Sequence, residues 1–309
     1  MSDVSTLGTV TSTSDHIVSS HDSAQLRRST KNRKRGRSLL FHVSSLVLVA
    51  IVLYPAVWML MSSFKPSSEI VGNVSIIPDT FTTANFEKAI QGIGGVSFWT
   101  FFMNSVILAV CSVIGITLSC SISAYAFARI DFPGRNVFFA LMIGTLLLPF
   151  HVVIIPQYIV FNRLGLVDTF VPLLIGKFLA AEAFFVFLMV QFMRNLPREL
   201  DEAARIDGAG HVRIFRSIML PLMKPALVTS AIFAFIWSWN DFFGPLLYLK
   251  KPDLYSLPIA LRLFVDQTTT SDYGAQMAMA VLALVPVMLF FLVFQRYLVE
   301  GVATQGLKG

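Results

Sequence analysis

Residues 197–210 read PRELDEAARIDGAG and place four carboxylates and two arginines within fourteen positions of a chain that is 55% hydrophobic and 14% charged. Pro197 suits the first turn of a helix, where its missing N–H has no intrahelical partner to lose. Leu200, Ala203, Ala204 and Ile206 continue that helix, and Gly208 supplies the left-handed conformation that ends it. A second short amphipathic helix follows, with Phe215, Ile218, Met219 and Leu222 at three- and four-residue spacings. Pro221 and Pro225 mark where it ends or bends, because proline cannot donate to the helical ladder. The stretch therefore reads as helix, turn, helix lying at a membrane surface.

Outward from this insert the chain is oily, with a mean hydropathy of +0.70. A helix needs about 20 apolar residues to span a bilayer, and six segments qualify: 39–63, 98–126, 137–160, 172–193, 225–248 and 274–298. With the N-terminus inside, the cytoplasmic pieces hold 17 Lys and Arg and the outer pieces 6, leaving Lys177 within a span. That asymmetry puts both termini and the loop 194–224 in the cytoplasm. The expected fold is an all-α polytopic membrane protein with six transmembrane helices.

Residues 1–38 are expected to form a disordered basic cytoplasmic tail, and residues 39–309 the six-helix domain. Thirteen Ser or Thr fall in the first 30 positions, with too little apolar surface to offset the entropy of ordering. Seven of the 24 Lys and Arg lie between residues 27 and 37, directly before an apolar run. The net charge of +6 thus reads as a membrane flank, not a nucleic-acid footprint. The apolar run from Leu39 to Phe64 is too long for the core of a signal peptide.

No enzyme chemistry is written in the chain. The five histidines are scattered, and Cys111 and Cys120 lie nine residues apart, on opposite sides of one helix, so neither a metal nor a cofactor is expected. Gly176-Lys177 is followed by Phe178 and has Val171 where a nucleotide-binding loop needs its first glycine.

Glu202-Ala203-Ala204, three residues, Gly208, nine residues, Ile218, one residue and Leu220-Pro221 resemble, without a gap, the EAA signature of membrane subunits of binding-protein-dependent ABC importers. WNDFFGPLLYL at residues 239–249, the terminal GLKG, SSFKPSSEI at 62–70 and FFMNSVILA at 101–109 are similar to the carbohydrate branch, the maltose-type permeases. The resemblance implies the ABC importer type I permease fold, with the EAA loop as a coupling helix seated in a cleft of a cytosolic ATPase. Glu202 would then pair with or cap the ATPase, Ala203 and Ala204 would allow close approach, and Gly208 would set the turn, with Ile218, Leu220 and Pro221 completing the signature. It also implies a second homologous permease, two ATPase subunits and an extracytoplasmic sugar-binding protein that docks on residues 65–97 and 250–273. Other readings are a permease of an ABC importer for a non-sugar solute and a stand-alone secondary transporter.

Sugars offer hydroxyls to polar groups and ring faces to aromatics. Trp237, Trp239, Asn240 and Asp241 supply both, with Trp237 and Asp241 on one helix face; the same residues also suit an interfacial aromatic belt followed by a helix end. Glu182 lies about ten residues into the fourth span, where an ionised carboxylate costs at least about 2.5 kcal/mol. It should face a cavity, a partner or a cation, or be protonated or hydrogen-bonded in place. Lys177 stands about 140° around a continuous helix from Glu182, so a pair within that helix is not expected. Pro149 and Pro156 in the third span and Pro286 in the sixth mark either a solute pathway or ordinary kinks.

Overall fold

The computed structural model describes residues 41–265 and 271–306. The tail expected over 1–38 and the last three residues of GLKG lie outside them. In chain order the helices are α1 (Phe41–Ser62), α2 (Ser67–Gly72), α3 (Ala84–Gln91), α4 (Phe98–Arg129), α5 (Arg135–Thr145), α6 (Phe150–Arg163), α7 (Val171–Phe178), α8 (Ala183–Arg194) and α9 (Glu199–Ile206). Then come α10 (His211–Ile214), a π-helical turn (Phe215–Met219), α11 (Leu220–Leu222), α12 (Lys224–Trp239), α13 (Phe243–Tyr248), α14 (Leu257–Leu263) and α15 (Tyr273–Gly306). No strand forms among the described residues beyond an isolated antiparallel bridge between Ile93 and Val96. The chain divides into two compact units, Met1–Trp58, described from Phe41 onward, and Met59–Gly309.

Four helical segments, Phe41–Ser62, Phe98–Arg129, Val171–Arg194 and Tyr273–Gln295, are long and apolar enough to cross a membrane. Two bent pairs, Arg135–Thr145 with Phe150–Arg163 and His211–Leu222 with Lys224–Trp239, raise the number to six if each is one span. Their bends are 100° and 75°. The sequence reading differs here in detail. Of the three prolines, Pro149 ends up at a break, as the residue before α6, whereas Pro156 and Pro286 sit inside α6 and α15. The fifth span, expected over 225–248, stops at Trp239 and restarts at Phe243.

The second unit is organised around α4. Its buried face carries small residues, among them Ala109, Ser112, Gly115, Cys120, Ala124 and Ala128, so α7, α8 and α12 can pack closely against it. Within a bilayer the hydrophobic effect does not drive helices together, and this close packing with interhelical hydrogen bonds replaces it. One such bond joins the hydroxyls of Ser112 and Ser238 at 3.0 Å. The C-terminal half of α4 enters a core with Phe185, Met189, Met193, Met219 and Met223. Its N-terminal half enters another with Trp239, Leu257, Phe264 and Met279. Near its start, Asn104 donates to the carbonyls of Asp253 (2.8 Å) and Tyr255 (3.0 Å), and Ser105 accepts from the Leu257 amide at 2.8 Å.

Before α15, Asp272 accepts from Lys88 Nζ at 2.7 Å, Ser67 Oγ at 2.7 Å and the Ala275 amide at 3.1 Å, tying α2 and α3 to the head of α15. Partial burial pushes the Asp272 carboxyl up, but the bonds from Lys88, Ser67 and Ala275 outweigh it, and the net direction is below the ordinary 3.8. A carboxyl depressed on folding stabilises the fold above its ordinary value and loses that contribution as pH falls through the folded value. Asp272→Asn is therefore expected to flatten the stability profile of the purified chain between about pH 5 and 3. At neutral pH it should cost at most about 1 kcal/mol, because Lys88 is mostly exposed. An unchanged acid profile in thermal melts of the variant would count against this tie.

Candidate functional site

The charged insert folds as helix, turn, helix. α9 begins at Glu199 with Arg198 at its cap, so Pro197 precedes the first turn instead of occupying it. Glu199, Asp201 and Glu202 crowd that first turn, where the positive end of the helix dipole favours carboxylates. Gly208 adopts φ 78° beyond the end of α9, and the Ala209 amide returns to the Ala204 carbonyl at 2.9 Å, closing the turn as expected. The second helix ends at Leu222, one residue past Pro221, and the chain bends by 75° into α12, which carries Pro225 in its first turn, as expected. Pro221 cannot donate to the Ser217 carbonyl, and the ladder widens into the π turn just before it.

The residues of the signature face two ways. Ala204 is buried against the core around α4 and α8, with Asp201 beside it, while Glu202, Ala203, Arg205 and Ile206 point outward. The two alanines thus have different surroundings, Ala204 fitting the chain's own core and Ala203 open to a partner. Ile218 and Leu220 are half-buried, and Pro221 is exposed. The Glu202 carboxylate makes no hydrogen bond or ion pair among the described residues. Ile206 is 87% exposed and Val212 80%, two bare aliphatic side chains on an otherwise charged loop.

Both helices of the loop are held by α4. Arg129, in its last turn, places Nη1 3.1 Å from Asp201 Oδ2, and Nη2 donates to the carbonyls of Met193 (2.7 Å) and Leu196 (2.8 Å). Both side chains are buried, 2% and 8% exposed. One turn earlier Tyr125 lies on the same face, its hydroxyl 3.3 Å from His211 Nδ1 and its ring 5.2 Å from that of Phe215. In the sequence Arg129 counts only as one of the 17 Lys and Arg on the cytoplasmic side. Its position four residues after a tyrosine, at the foot of a small-residue helix face, is the signal that marks it as buried.

The second constellation lies where two spans are interrupted. α7 stops at Phe178, Ala180 takes φ 55°, and the Ala181 amide bonds the Gly176 carbonyl at 3.0 Å before α8 starts. A left-handed alanine is strained, since glycine ordinarily fills that conformation. The break overturns the expectation that Lys177 and Glu182 stay apart: Lys177 Nζ lies 3.4 Å from Glu182 Oε1. The 140° separation applies to a continuous helix, and this one is interrupted between them by the left-handed Ala180. α4 shapes the break, for Ser119 Oγ donates to the Lys177 carbonyl at 2.6 Å. Gly115 leaves room for Phe178, whose ring would lie 2.9 Å from any Cβ at that position.

Asp241 belongs to the neighbouring interruption, between α12 and α13, where its Oδ1 accepts the Gly244 amide at 3.0 Å. This interruption packs on α7, the helix that carries Lys177, with Leu173 close beside Gly244. Trp237 packs on Phe184 and Phe185 at 5.2 Å, two and three residues past Glu182, and remains 47% exposed. Asn240 turns back to the Ile236 carbonyl at 2.8 Å and so terminates α12, while Trp239 is buried with Nε1 donating to the Ala283 carbonyl at 3.2 Å. The structure thus gathers Glu182, Trp237 and Asp241, adds Lys177, and assigns Asn240 and Trp239 to the helix end and the core.

The model of a family described as binding-protein-dependent transport system inner membrane component matches residues 113–304, which take in the loop and both interruptions. The chain is 36% identical to AraQ, a permease protein of an arabinooligosaccharide transport system from Halalkalibacterium halodurans, over 88% of this chain and 97% of that one. It is 33% identical to NgcG, a permease protein of a diacetylchitobiose uptake system from Streptomyces coelicolor, covering 91% and 92%. It is also 33% identical to UgpE, an sn-glycerol-3-phosphate transport system permease protein from Rhizobium meliloti, covering 85% and 95%. Among solved structures, a bacterial ABC transporter involved in the import of the acidic polysaccharide alginate shares its fold, with a TM-score of 0.74 at 24% identity over 85% of this chain and 96% of that one.

Proposed function

The chain belongs to the binding-protein-dependent transport system inner membrane component family of ABC importer permeases, and from that premise we propose that it carries a sugar across the cytoplasmic membrane. In this reading α5 with α6 is one span and α12 with α13 another, giving six, with both termini and the loop in the cytoplasm and residues 1–38 as a tail preceding the transmembrane domain of 39–309. A second homologous permease completes the route, two ATPase subunits drive it, and an extracytoplasmic binding protein delivers the solute to residues 65–97 and 250–273.

One observation carries the coupling: Tyr125 and Arg129, on one face of α4, grip the two helices of the loop and leave Glu202, Ala203, Ile206 and Val212 outward. An ATPase cleft that closes on that outward face moves α4 with it. Gly208 sets the turn, and the half-buried Ile218 and Leu220 hold the second helix against the membrane domain, with Pro221 exposed where it ends. Glu182, Trp237 and Asp241 contribute acceptors and an aromatic face to the solute route, with Asn240 shaping the end of α12 beside them. A sugar is favoured by the similarity to AraQ and NgcG, while the similarity to UgpE supports a second reading, a phosphorylated solute.

The test is uptake by the complete importer in proteoliposomes. An arabino-oligosaccharide, diacetylchitobiose and glycerol 3-phosphate are offered, with an ATPase-inactive complex as control. ATP-dependent uptake of a neutral sugar is expected, with at least about a tenfold loss in the control. Uptake of glycerol 3-phosphate alone transfers the conclusion to the second reading. Uptake indifferent to the ATPase overturns both.

A further inference from the structure

We propose that Lys177, Glu182 and Asp241 form a charge-discriminating station on the solute route, admitting neutral sugars and rejecting carboxylated or phosphorylated ones. This rests on the permease reading above and sharpens its substrate class. The station is built where the fourth and fifth spans are both interrupted, α7 to α8 and α12 to α13. Irregular backbone at membrane depth is tolerated where it is buried in protein or lines an aqueous cavity, not against lipid.

The side chains make the same choice. The Glu182 side chain is 36% exposed and that of Lys177 21%, in a segment apolar enough to cross the membrane. A half-exposed ion pair there faces water or a partner, because lipid would solvate neither charge. The Trp237 ring, 47% exposed beside Phe184, adds a flat apolar surface of the kind a sugar ring stacks on. Ala180, held left-handed between the lysine and the glutamate, shows that the chain maintains this interruption at a conformational cost.

The charge balance sets the specificity. The station holds two carboxylates, Glu182 and Asp241, against the one ammonium of Lys177. The sum is −1 with both carboxylates ionised and zero with one protonated; it is positive in neither state. The ammonium is already engaged by Glu182, so an incoming anion meets no free positive charge and at least one carboxylate. A neutral polyol meets acceptors for its hydroxyls. A site that selects anions needs the opposite arrangement, a surplus of Arg or Lys.

The experiment uses the assembled importer in vesicles with a cysteine reporter at the station. Ala181, exposed and next to Glu182, is replaced by cysteine in a chain whose Cys111 and Cys120 are changed to alanine, and Leu179→Cys serves as a second reporter in case the first does not assemble. Each is labelled with a cationic and an anionic water-soluble methanethiosulfonate of equal size. The cationic reagent is expected to react about tenfold faster. Adding Glu182→Gln should bring the two rates within about twofold, and adding Lys177→Gln instead should widen the gap. No labelling of either reporter, a faster anionic reagent, or a ratio insensitive to Glu182→Gln overturns the proposal. The readout needs no sugar, so an importer that moves none removes the sugar reading and leaves the station to be judged by its labelling.

Discussion

Arg129→Ala is expected to destabilise the chain by about 3–5 kcal/mol, the cost of stranding one partner of a buried ion pair. The substitution leaves the Asp201 carboxylate 8% exposed without its countercharge and takes the donor from the carbonyls of Met193 and Leu196. The loss should register as a lower thermal midpoint of the purified chain and a smaller monodisperse fraction. Arg129→Lys falls between, because a single ammonium cannot fork to one carboxylate and two carbonyls at once. Asp201→Asn should cost less, since its amide oxygen still accepts from Nη1. The double variant Arg129→Met with Asp201→Leu recovers most of the stability, as exchange of a buried pair for apolar residues often does. Stability of Arg129→Ala within about 1 kcal/mol of the native chain would show that the guanidinium is dispensable.

Glu202→Lys and Ile206→Glu are expected to do the reverse, abolishing partnership and sparing the fold. Glu202 is exposed and makes no hydrogen bond or ion pair among the described residues, and Ile206 is 87% exposed, so neither change should move the thermal midpoint measurably. At the proposed ATPase contact the expected consequence is large. A reversed charge set against a complementary one costs several kcal/mol, and a carboxylate in place of a docked aliphatic anchor costs about 2 kcal/mol or more. Together these predict a loss of transport of about a hundredfold and failure of the ATPase to co-purify. Normal ATPase capture by both variants would remove the outward face of α9 from the coupling contact.

The four long apolar helices were legible from the length of their apolar runs, and the helix, turn, helix of the loop from its periodicity and its glycine. Long apolar runs have one structural solution in lipid, and Gly208 marks a turn by its backbone freedom. Residues decided by tertiary contact were not legible. LAAEAFF, residues 179–185, is rich in helix formers, and local propensity carries the fourth span straight through it. Gly115 admitting Phe178, and Ser119 binding the Lys177 carbonyl, favour the break instead. That break brings Lys177 to Glu182. Among the acids of α9, sequence spacing selected Glu202 through the signature, while the burial of Asp201 follows from a partner 72 residues earlier. Trp239 and Asn240, side by side in the sequence with Asp241, separate because Trp239 faces the core of α15 and Asn240 folds onto its own helix.

The two ends at which α4 is fastened give it a lever arm. Arg129 and Asn104 are 25 residues apart, about 37 Å at 1.5 Å per residue. A tilt of about 5° about the Arg129 end displaces Asn104 by about 3 Å, as long as the bonds of 2.8 and 3.0 Å that join it to the carbonyls of Asp253 and Tyr255. A tilt of that size therefore either drags the Pro252–Leu254 turn along with the helix or breaks both bonds.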